Sequence, residues 1–220
     1  MSRIRSIDGR RPDPDLLRLA ATIVRGGGVI VYPTDTVYGI GATATDAAAV
    51  ERVLAVKGRP SGKPLLVVVH TREAMALVAE KVPPEAEAVM NAFWPGPLTI
   101  VVRAREDLPR ALTGGTGTVG IRIPSHPVTL RLLEVLGLPL VSTSANRSGS
   151  TVAPTVASIE AQLGEEIDLY LDAGLLPPSP PSTVLDLSGD LPRMVREGAV
   201  AVARLRAFLP SLASPARPSG

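Results

Sequence analysis

The chain has 220 residues, 45% of them apolar, and a formal net charge of +2, values typical of a globular protein with one large domain or two small ones. The mild charge excludes a general attraction for nucleic acid, so anion binding must come from local clusters. Cysteine is absent, which excludes disulfides and thiolate metal sites, and the sequence has neither a membrane-spanning apolar run nor a signal peptide, so we expect a cytoplasmic protein without a membrane partner.

Helix and strand patterns alternate along most of the chain. Asp13 and Pro14 predict the start of a first helix, which the glycines at 26–28 end. An apolar strand at 29–33 and a helix that Asp46 caps come next. Further predicted elements are helices near 72–80 and 84–92, strands 65–69, 98–104, 119–124 and 140–144, helices after 126 and 155, strands 169–173, 182–187 and 193–197, and a last helix to about 209.

This order predicts one α/β domain, built on a twisted, open, mixed sheet that helices flank. We place the domain at residues 12–209, after an N-terminal arm at 1–11 and before a tail at 210–220 whose composition is typical of disorder. The proline-rich segment at 175–182 is interpreted as a surface loop, because too few residues follow it to form a typical domain.

Three sequence patterns resemble functional motifs, but the residues around them argue against each function. Residues 115–120, GTGTVG, match a dinucleotide fingerprint, but a strand follows where a helix is required, so a turn is predicted. Residues 58–63, GRPSGK, lack the spacing of a phosphate-binding P-loop. His70 and His126 each stand alone, so we predict no protein-bound metal.

The segment KGRPSGKP, at 57–64, concentrates two of the chain's three lysines around Arg59, although 23 residues in the chain are basic. Lys57 and Arg59 lie at the end of a predicted helix, where cations stabilise the helix dipole. The alternative is phosphate binding, in which lysine acts as a mobile point charge and arginine as a bidentate fork.

Small polar residues follow two of the predicted strands. Residues 34–38 place hydroxyls at the carboxyl end of a strand, where ligands of open α/β sheets bind, although a self-satisfied turn explains the same pattern. Ser142, Ser144 and Asn146 favour either an anion-binding nest or a simple capping turn.

Arginine and serine near other strands allow two interpretations. Arg122 points to the opposite strand face from Ile121 and Ile123, where it either reaches water or clamps a carboxylate. Ser182 and Arg196 lie near the ends of late strands, where the polarity of an edge strand explains them equally well.

Several segments together identify a resemblance. They are GGGVIVYPTDTVYGIGA, KGRP, WPGPLTIVV, GTVGIRIPSHP, PLVSTSANRSG and STVLDL. Their order and spacing over about residues 12–205 resemble the YrdC-like family, the threonylcarbamoyl-adenylate synthases. The resemblance implies a sheet around a concave basic cavity. It also implies a nucleotidyltransferase that uses ATP with Mg²⁺, L-threonine and bicarbonate to make threonylcarbamoyl-adenylate and pyrophosphate, the first step of N6-threonylcarbamoyladenosine formation in tRNA.

The resemblance also assigns roles position by position. Lys57 and Arg59 match the family's KxR element, and Ser144 and Asn146 match its SxN element, so these four are the expected catalytic residues. The other positions expected to contact ATP are Ser61, Thr118, Val152 and Arg196. The positions expected to hold threonine are Thr34, Arg122, Ser142 and Ser182. No protein ligand to a metal is implied.

The chain departs from the family pattern at several positions. Val68 stands where many members have histidine, which bears on the threonine pocket, and Asp35 replaces a common glutamate, which is a mild change. The chain resembles the short, single-domain members. A downstream tRNA threonylcarbamoyl transferase is the implied partner, whereas oligomeric state and direct contact with tRNA stay open.

Two alternatives to a synthase also stay open. One is a carbamoyl-transfer relative, because YrdC-like domains also occur in hydrogenase-maturation proteins. The other is a non-catalytic paralogue that binds nucleotide or RNA in the same cavity, against which the mild net charge and the scarcity of aromatic residues argue.

Overall fold

The structure is a computed structural model that describes residues 3–59 and 62–213. Its strands in these ranges are β1 (Ile4–Ser6), β2 (Ile30–Tyr32), β3 (Gly39–Gly41), β4 (Leu66–Val68), β5 (Ala79–Lys81), β6 (Leu98–Ala104), β7 (Thr118–Arg122), β8 (Leu140–Ser144), β9 (Leu169–Asp172), β10 (Thr183–Asp186) and β11 (Arg193–Arg196). The α-helices are α1 (Pro14–Arg25), α2 (Ala47–Lys57), α3 (Glu85–Phe93), α4 (Arg110–Thr113), α5 (Pro127–Leu136), α6 (Val156–Leu163) and α7 (Val202–Arg206).

All the described strands join one sheet. Their order is β1-β9-β2-β3-β8-β4-β7-β6-β10-β11, and β5 pairs with β6 outside this path. The sheet is mixed, because β4 runs parallel to β7 on one side and antiparallel to β8 on the other. The prediction of one α/β domain with an open mixed sheet is therefore confirmed.

The two faces of the sheet bury different sets of residues, as the two-residue period of strands requires. Val67 and Val141 belong to the larger apolar cluster, which includes residues of α2, α3 and α6. Val68 and Leu140, one position along in each strand, belong to a second cluster with residues of α1 and α5. That second cluster covers the β9–β2 part of its face but includes no residue of β6, β7 or β10.

Local capping explains where three of the helices begin. The Asp13 side chain accepts a hydrogen bond from the Asp15 amide at 2.8 Å, and Asp46 accepts one from the Ala48 amide at 2.9 Å. Both predicted helix starts are thus confirmed. His126 caps α5, since its Nδ1 accepts from the Val128 amide at 3.3 Å.

The structure differs from the sequence prediction in several short segments. Residues predicted as a helix at 72–80 form a 3-10 helix (Glu73–Leu77) and then β5. Neither β1 nor β3 was expected; β1 lies inside the segment assigned to an arm, where it pairs with β9. The last helix ends at Arg206, and Leu209 and Leu212 beyond it are buried.

Within the described residues, no helix has the length and apolar content needed to cross a lipid bilayer.

Candidate active site

The last turn of α2 buries an ammonium group against the carboxyl end of β8. Lys57 is only 4% exposed. Its Nζ donates to the carbonyl oxygens of Ser144 at 2.6 Å and Asn146 at 2.8 Å, and to Oδ1 of Asn146 at 3.2 Å. Burial, reinforced by the nearby charge of Arg59, lowers the pKa of Lys57 to about 8. Lys57 therefore places a desolvated positive charge directly beneath the turn that follows β8.

That turn is fixed by its own side chains. Ser144 Oγ donates to Oδ1 of Asn146 at 2.6 Å, and Nδ2 of Asn146 donates to the carbonyl oxygens of Arg147 at 3.0 Å and Ser150 at 2.6 Å. Asn146 thus accepts from one side of the turn and donates to the other. The SxN segment and Lys57 form one hydrogen-bonded unit, which brings together three of the four residues expected to be catalytic.

Arg59 lies near enough to this unit for its charge to lower the pKa of Lys57, and within the described ranges 3–59 and 62–213 it has one side-chain hydrogen bond. Its Nη2 donates to the carbonyl oxygen of Pro64 at 3.2 Å, whereas its buried Nε has no partner among the described residues. Burial also lowers the pKa of Arg59. Unsatisfied donors on a half-buried cation form an anion site. Ser61, another position expected to contact ATP, lies outside the described residues.

A glycine-rich turn supports the loop that carries Arg59. Gly114 has a φ of +59°, and a Cβ there would lie 2.8 Å from the backbone N of Pro64 and 2.9 Å from the carbonyl carbons of Gly62 and Lys63. The backbone amide of Leu65 donates to the carbonyl of Leu112 at 2.9 Å. Of the segment that superficially matches a dinucleotide fingerprint, residues 115–117 form the predicted turn and Thr118 begins β7. Gly114, just before this segment, packs against residues 62–64.

Arg122, at the end of β7, is held by three partners. Its Nε donates to the carbonyl oxygen of Gly96 at 2.8 Å, its Nη1 contacts Oγ1 of Thr36 at 3.4 Å, and its Nη2 forms an ion pair with Asp35. The side chains of Arg122 and Asp35 are 6% and 14% exposed, so the charges neutralise each other in a largely buried setting. This arrangement fixes the direction of the guanidinium.

The turn at 34–38 uses its hydroxyls internally. Thr34 Oγ1 donates to the carbonyl oxygen of Val37 at 2.6 Å and accepts from the Thr36 amide at 3.1 Å. The alternative of a self-satisfied turn is therefore what the Thr34 hydroxyl forms, and its expected contact with threonine stays a prediction. Thr34 nevertheless lies close to Arg122, because Oγ1 of Thr36 contacts both residues.

Ser142 lies in the middle of β8, against a buried tyrosine. A Cβ at Gly39 would lie 3.2 Å from Cζ of Tyr32 and 3.4 Å from Oγ of Ser142. Burial raises the pKa of Tyr32 well above its ordinary value, although a hydrogen bond with Ser142 and the charge of Arg122 oppose that shift. Tyr32 thus lies between two residues that the resemblance assigns to threonine.

Ser182 and Arg196 contact each other. The guanidinium of Arg196 donates to the carbonyl oxygen of Ser182 through Nη2 at 2.8 Å and Nε at 3.2 Å. Oγ of Ser182 accepts from Oγ1 of Thr99 at 3.0 Å. Burial and the charge of Arg122 lower the pKa of Arg196, so the two guanidinium groups influence each other across this part of the sheet.

Strand register places most of these residues on one face. Leu66 in β4 pairs with Ser142 on one side and Gly120 on the other, and Val101 pairs with Gly120. Residues two positions away in each strand share that face, namely Ser144 in β8, Thr118 and Arg122 in β7, and Thr99 in β6. This is the part of the face that the second apolar cluster leaves uncovered.

For two further positions expected to contact ATP, the structure shows no hydrogen bond with Lys57 or Arg122. Thr118 begins β7, and its hydroxyl lies 2.8 Å from that of Thr116. Val152 is 36% exposed beyond the SxN turn. A cavity of about 650 Å³ touches Thr118, together with Arg103 and Arg110, but its lining includes neither Lys57 nor Arg122. The concave basic cavity over the site stays a prediction.

The described residues contain no group of three or more His, Cys, Asp or Glu side chains placed to hold a metal ion.

Sequence reasoning gave Asp35, Tyr32 and Thr99 no functional role. The sequence predicts Asp35 in a turn after a strand and Tyr32 inside that apolar strand, and it singles out nothing at Thr99. The signal for Asp35 was a carboxylate directly after a buried strand, in the same chain as a strand arginine that needs a counter-ion. Nothing local to Tyr32 or Thr99 predicts their contacts, which join residues far apart in the chain.

Comparison with known proteins gives the family. A family model described as telomere recombination, the Sua5/YciO/YrdC family, matches residues 22–198. A threonylcarbamoyl-AMP synthase of Pyrococcus abyssi is 38% identical over 182 residues, which are 83% of this chain and 54% of that protein. The chain thus spans about half the length of this relative.

Two solved structures give the same result. The crystal structure of P. abyssi Sua5 complexed with L-threonine matches with a TM-score of 0.92 and 33% identity, over 97% of this chain and 62% of that one. The crystal structure of Escherichia coli YciO matches with a TM-score of 0.82 and 34% identity, over 92% of this chain and 98% of that one. The fold and the matched segments together show that this chain belongs to the Sua5/YciO/YrdC family.

Proposed function

We propose that this protein is a threonylcarbamoyl-adenylate synthase, a nucleotidyltransferase that converts ATP, L-threonine and bicarbonate into threonylcarbamoyl-AMP and pyrophosphate. Support comes from a relative named for this activity and from a solved relative complexed with L-threonine. The observation that carries the proposal is the pairing of Leu66 with both Ser142 and Gly120. This register sets Ser142 and Ser144 of β8 and Arg122 of β7 on one face of the sheet, with only β4 between the two strands, and Lys57 joins this group through its hydrogen bond to the Ser144 carbonyl oxygen.

The two halves of this face suit two different anions. Arg59 offers unpartnered donors beside the charge of Lys57, which favours the triphosphate of ATP. Arg122, fixed by Asp35 and Gly96, favours a single small carboxylate such as that of threonine. Ser142 lies on the same face two residues before Ser144, and we assign its hydroxyl to threonine.

The chemistry proceeds in two balanced steps. The neutral amine of threonine attacks the carbon of bicarbonate, which yields the N-carboxylate and one water molecule. An oxygen of that carboxylate then attacks the α-phosphorus of ATP, which breaks the bond to the β-phosphate and releases pyrophosphate. Neither step requires a covalent bond to the protein, so catalysis consists of positioning and charge stabilisation.

Lys57 contributes to this chemistry through its charge and through the turn that it organises. Its three strongest hydrogen bonds are made to Ser144 and Asn146, so its protons are already engaged before a ligand binds. The desolvated ammonium stabilises negative charge that develops nearby, because a low dielectric strengthens the interaction. Arg59 supplies the direct contacts to departing phosphate oxygens.

Mg²⁺ enters the site with ATP. Phosphate oxygens are hard ligands of the kind that Mg²⁺ prefers, which suits a site whose described residues lack a metal-binding cluster. When bound, Mg²⁺ neutralises charge on the leaving pyrophosphate. Arg59 and Lys57 are the residues that would stabilise the phosphates that carry the metal, Arg59 by direct contact and Lys57 through its charge.

The product is a mixed anhydride, which water hydrolyses, so a second enzyme must take it up promptly. We propose that a tRNA threonylcarbamoyl transferase is that partner and that the reaction takes place in the cytoplasm. Direct binding of tRNA by this chain is a separate question, which the salt dependence of RNA binding answers.

Pyrophosphate release tests the proposed function. The purified protein is incubated with ATP and Mg²⁺, with L-threonine and bicarbonate each omitted in turn. The proposal requires release only when both are present. Release without threonine would favour a carbamoyl-transfer relative or a plain ATPase, and ATP binding without any release would favour a non-catalytic paralogue.

A further inference from the structure

Threonine and ATP each have an expected pocket, but the one-carbon anion that joins them has none. In the product, one carbon links the threonine nitrogen to an oxygen on the α-phosphorus. The groups that bind it must therefore lie where the threonine site meets the ATP site. Ser182 is expected at threonine and Arg196 at ATP, and these two residues are hydrogen-bonded to each other at 2.8 Å.

The donors at this contact are directed but incompletely used. Arg196 donates from Nε and Nη2 to the carbonyl oxygen of Ser182. Its Nη1 has no hydrogen-bond partner among the described residues. Oγ of Ser182 accepts from Thr99 at 3.0 Å and from Nη2 of Arg196 at 3.3 Å. Because a hydroxyl that accepts twice still carries its own proton, Ser182 has one donor left for a ligand.

The charge of Arg196 is also uncompensated locally. The described part of the chain provides no carboxylate within ion-pair distance of Arg196. In contrast, Asp35 forms an ion pair with Arg122, and Arg193, which lies on the same strand as Arg196, pairs with Asp186 of β10 at 2.9 Å. Two nearby guanidinium groups with only one carboxylate leave a net positive charge. Arg196 is exposed to solvent, so a small anion reaches its guanidinium directly, and the local positive charge attracts it.

We propose that Arg196 and Ser182 bind bicarbonate, and then the threonine carbamate formed from it, as a planar oxyanion subsite between the threonine and ATP sites. Arg196 contributes its free Nη1 and its charge, and Ser182 contributes its hydroxyl proton. Thr99 is a positioning residue, which is 1% exposed and orients the Ser182 hydroxyl. This inference rests on the proposed function.

The test measures the KM for bicarbonate in CO2-depleted buffer at saturating ATP and L-threonine, through pyrophosphate release. Arg196→Gln removes the charge and Ser182→Ala removes the hydroxyl. The matched control is Arg193→Gln, which removes an exposed arginine from the same strand. We expect the KM for bicarbonate to rise about 10-fold or more in Arg196→Gln and several-fold in Ser182→Ala, as for loss of a charged hydrogen bond. The KM values for ATP and threonine should rise less than the KM for bicarbonate.

Other outcomes have distinct meanings. If the KM for bicarbonate stays constant while that for ATP or threonine rises, the residues serve only those substrates and the subsite is refuted. Thr99→Val gives a second check, because it should raise the bicarbonate KM modestly without changing the charge. An Arg193→Gln effect equal to that of Arg196→Gln would show a general charge effect and would also refute the subsite.

A separate readout distinguishes this inference from the proposed function. Thermal unfolding is followed in bicarbonate and in chloride at equal ionic strength, with AMP and threonine present, for the wild type and Arg196→Gln. Stabilisation by bicarbonate that Arg196→Gln abolishes supports the subsite even if the wild type releases no pyrophosphate, in which case only the proposed function fails. Absence of that stabilisation in an active wild type, with an unchanged bicarbonate KM in Arg196→Gln, overturns the subsite alone.

Discussion

The ammonium of Lys57 contacts Asn146, a residue 89 positions later in the chain, through both its backbone carbonyl at 2.8 Å and its side-chain oxygen at 3.2 Å. One cation thereby holds the turn after β8 and supplies its positive charge. Lys57 serves the site as an internal support as much as a ligand-binding group. Loss of Lys57 should therefore affect turnover more than ATP binding.

Replacing Lys57 with Ala removes both the charge and the support of the turn. We expect kcat to fall about 10²-fold or more, as for loss of a preorganised electrostatic contact, while the KM for ATP changes less because Arg59 retains its donors. Steady-state pyrophosphate release measures both values. A variant with wild-type kcat would rule out the role assigned to Lys57.

Alkaline pH should reduce activity through the same residue. The pKa of Lys57 is about 8 in the folded protein, against an ordinary value of 10.5, so kcat/KM for ATP should decline above about pH 8 as the ammonium deprotonates. Bound triphosphate favours the charged form, so kcat should persist to higher pH than kcat/KM. Any residual activity of Lys57→Arg should lack this decline, because a guanidinium stays charged.

The same shift affects stability with a defined sign. Between about pH 8 and 10.5 the unfolded chain holds a proton on Lys57 that the folded protein has released. The contribution of Lys57 to the free energy of unfolding therefore rises with pH in this window and is unfavourable below it. Urea unfolding of the wild type and Lys57→Arg at pH 7.5 and 9.5, about 0.5 below and 1.5 above that pKa, checks the sign. A greater loss of stability by the wild type than by the variant would contradict it.

Asp35→Asn should destabilise the protein, because it leaves the buried cation of Arg122 without its ion-pair partner. Asp35 is the carboxylate paired with Arg122, whose side chain is 6% exposed. We expect the free energy of unfolding to fall by about 3 kcal/mol and the KM for threonine to rise, because the guanidinium loses its fixed direction. Asp35→Glu, which keeps the charge, should recover much of both properties. Equal behaviour of Asn and Glu variants would show that charge pairing is unimportant there.

Gly114→Ala should displace the loop that carries Arg59. The new Cβ would lie 2.8 Å from the Pro64 backbone, so the loop must move and the KM for ATP should rise about three-fold or more, since such misplacement weakens positioning. Gly137→Ala is the matched control, since Gly137 has a similar φ of +68° but a Cβ added there would meet no atom within 4 Å. Both variants should lose stability through backbone strain. An ATP effect of equal size in both would argue against a specific loop contact.

The sequence predicted elements whose signals are local. The start of α2 is specified by Asp46, and its end by Gly58 with a φ of +56°. β3 was missed because its residues, Gly39–Gly41, have low strand propensity. It is a strand because β2 and β8 pair with it on either side. Glycine is needed there, since a Cβ at Gly41 would lie 2.6 Å from Cε1 of Tyr32.

The sequence allowed us to predict which residues belong to the candidate site but not which of them contact each other. Lys57 was a candidate because it is a cation at a predicted helix end, and Arg122 because it is an arginine within an apolar strand. Their partners, Ser144, Asn146 and Asp35, are brought to them by sheet pairing and by long-range contacts that no local pattern encodes. The assignment of each residue to ATP or threonine derives from family resemblance and stays a prediction.

The mass of the nucleotide product tests the central claim most directly. The protein is supplied with ATP, Mg²⁺, L-threonine and either ordinary or ¹³C-labelled bicarbonate, and the products are analysed by mass spectrometry as they form. The proposed function predicts threonylcarbamoyl-adenylate, with a mass shift equal to the isotopic substitution at one carbon. An adenylate without the label, or no adenylate from a protein that demonstrably binds ATP and threonine, would contradict it.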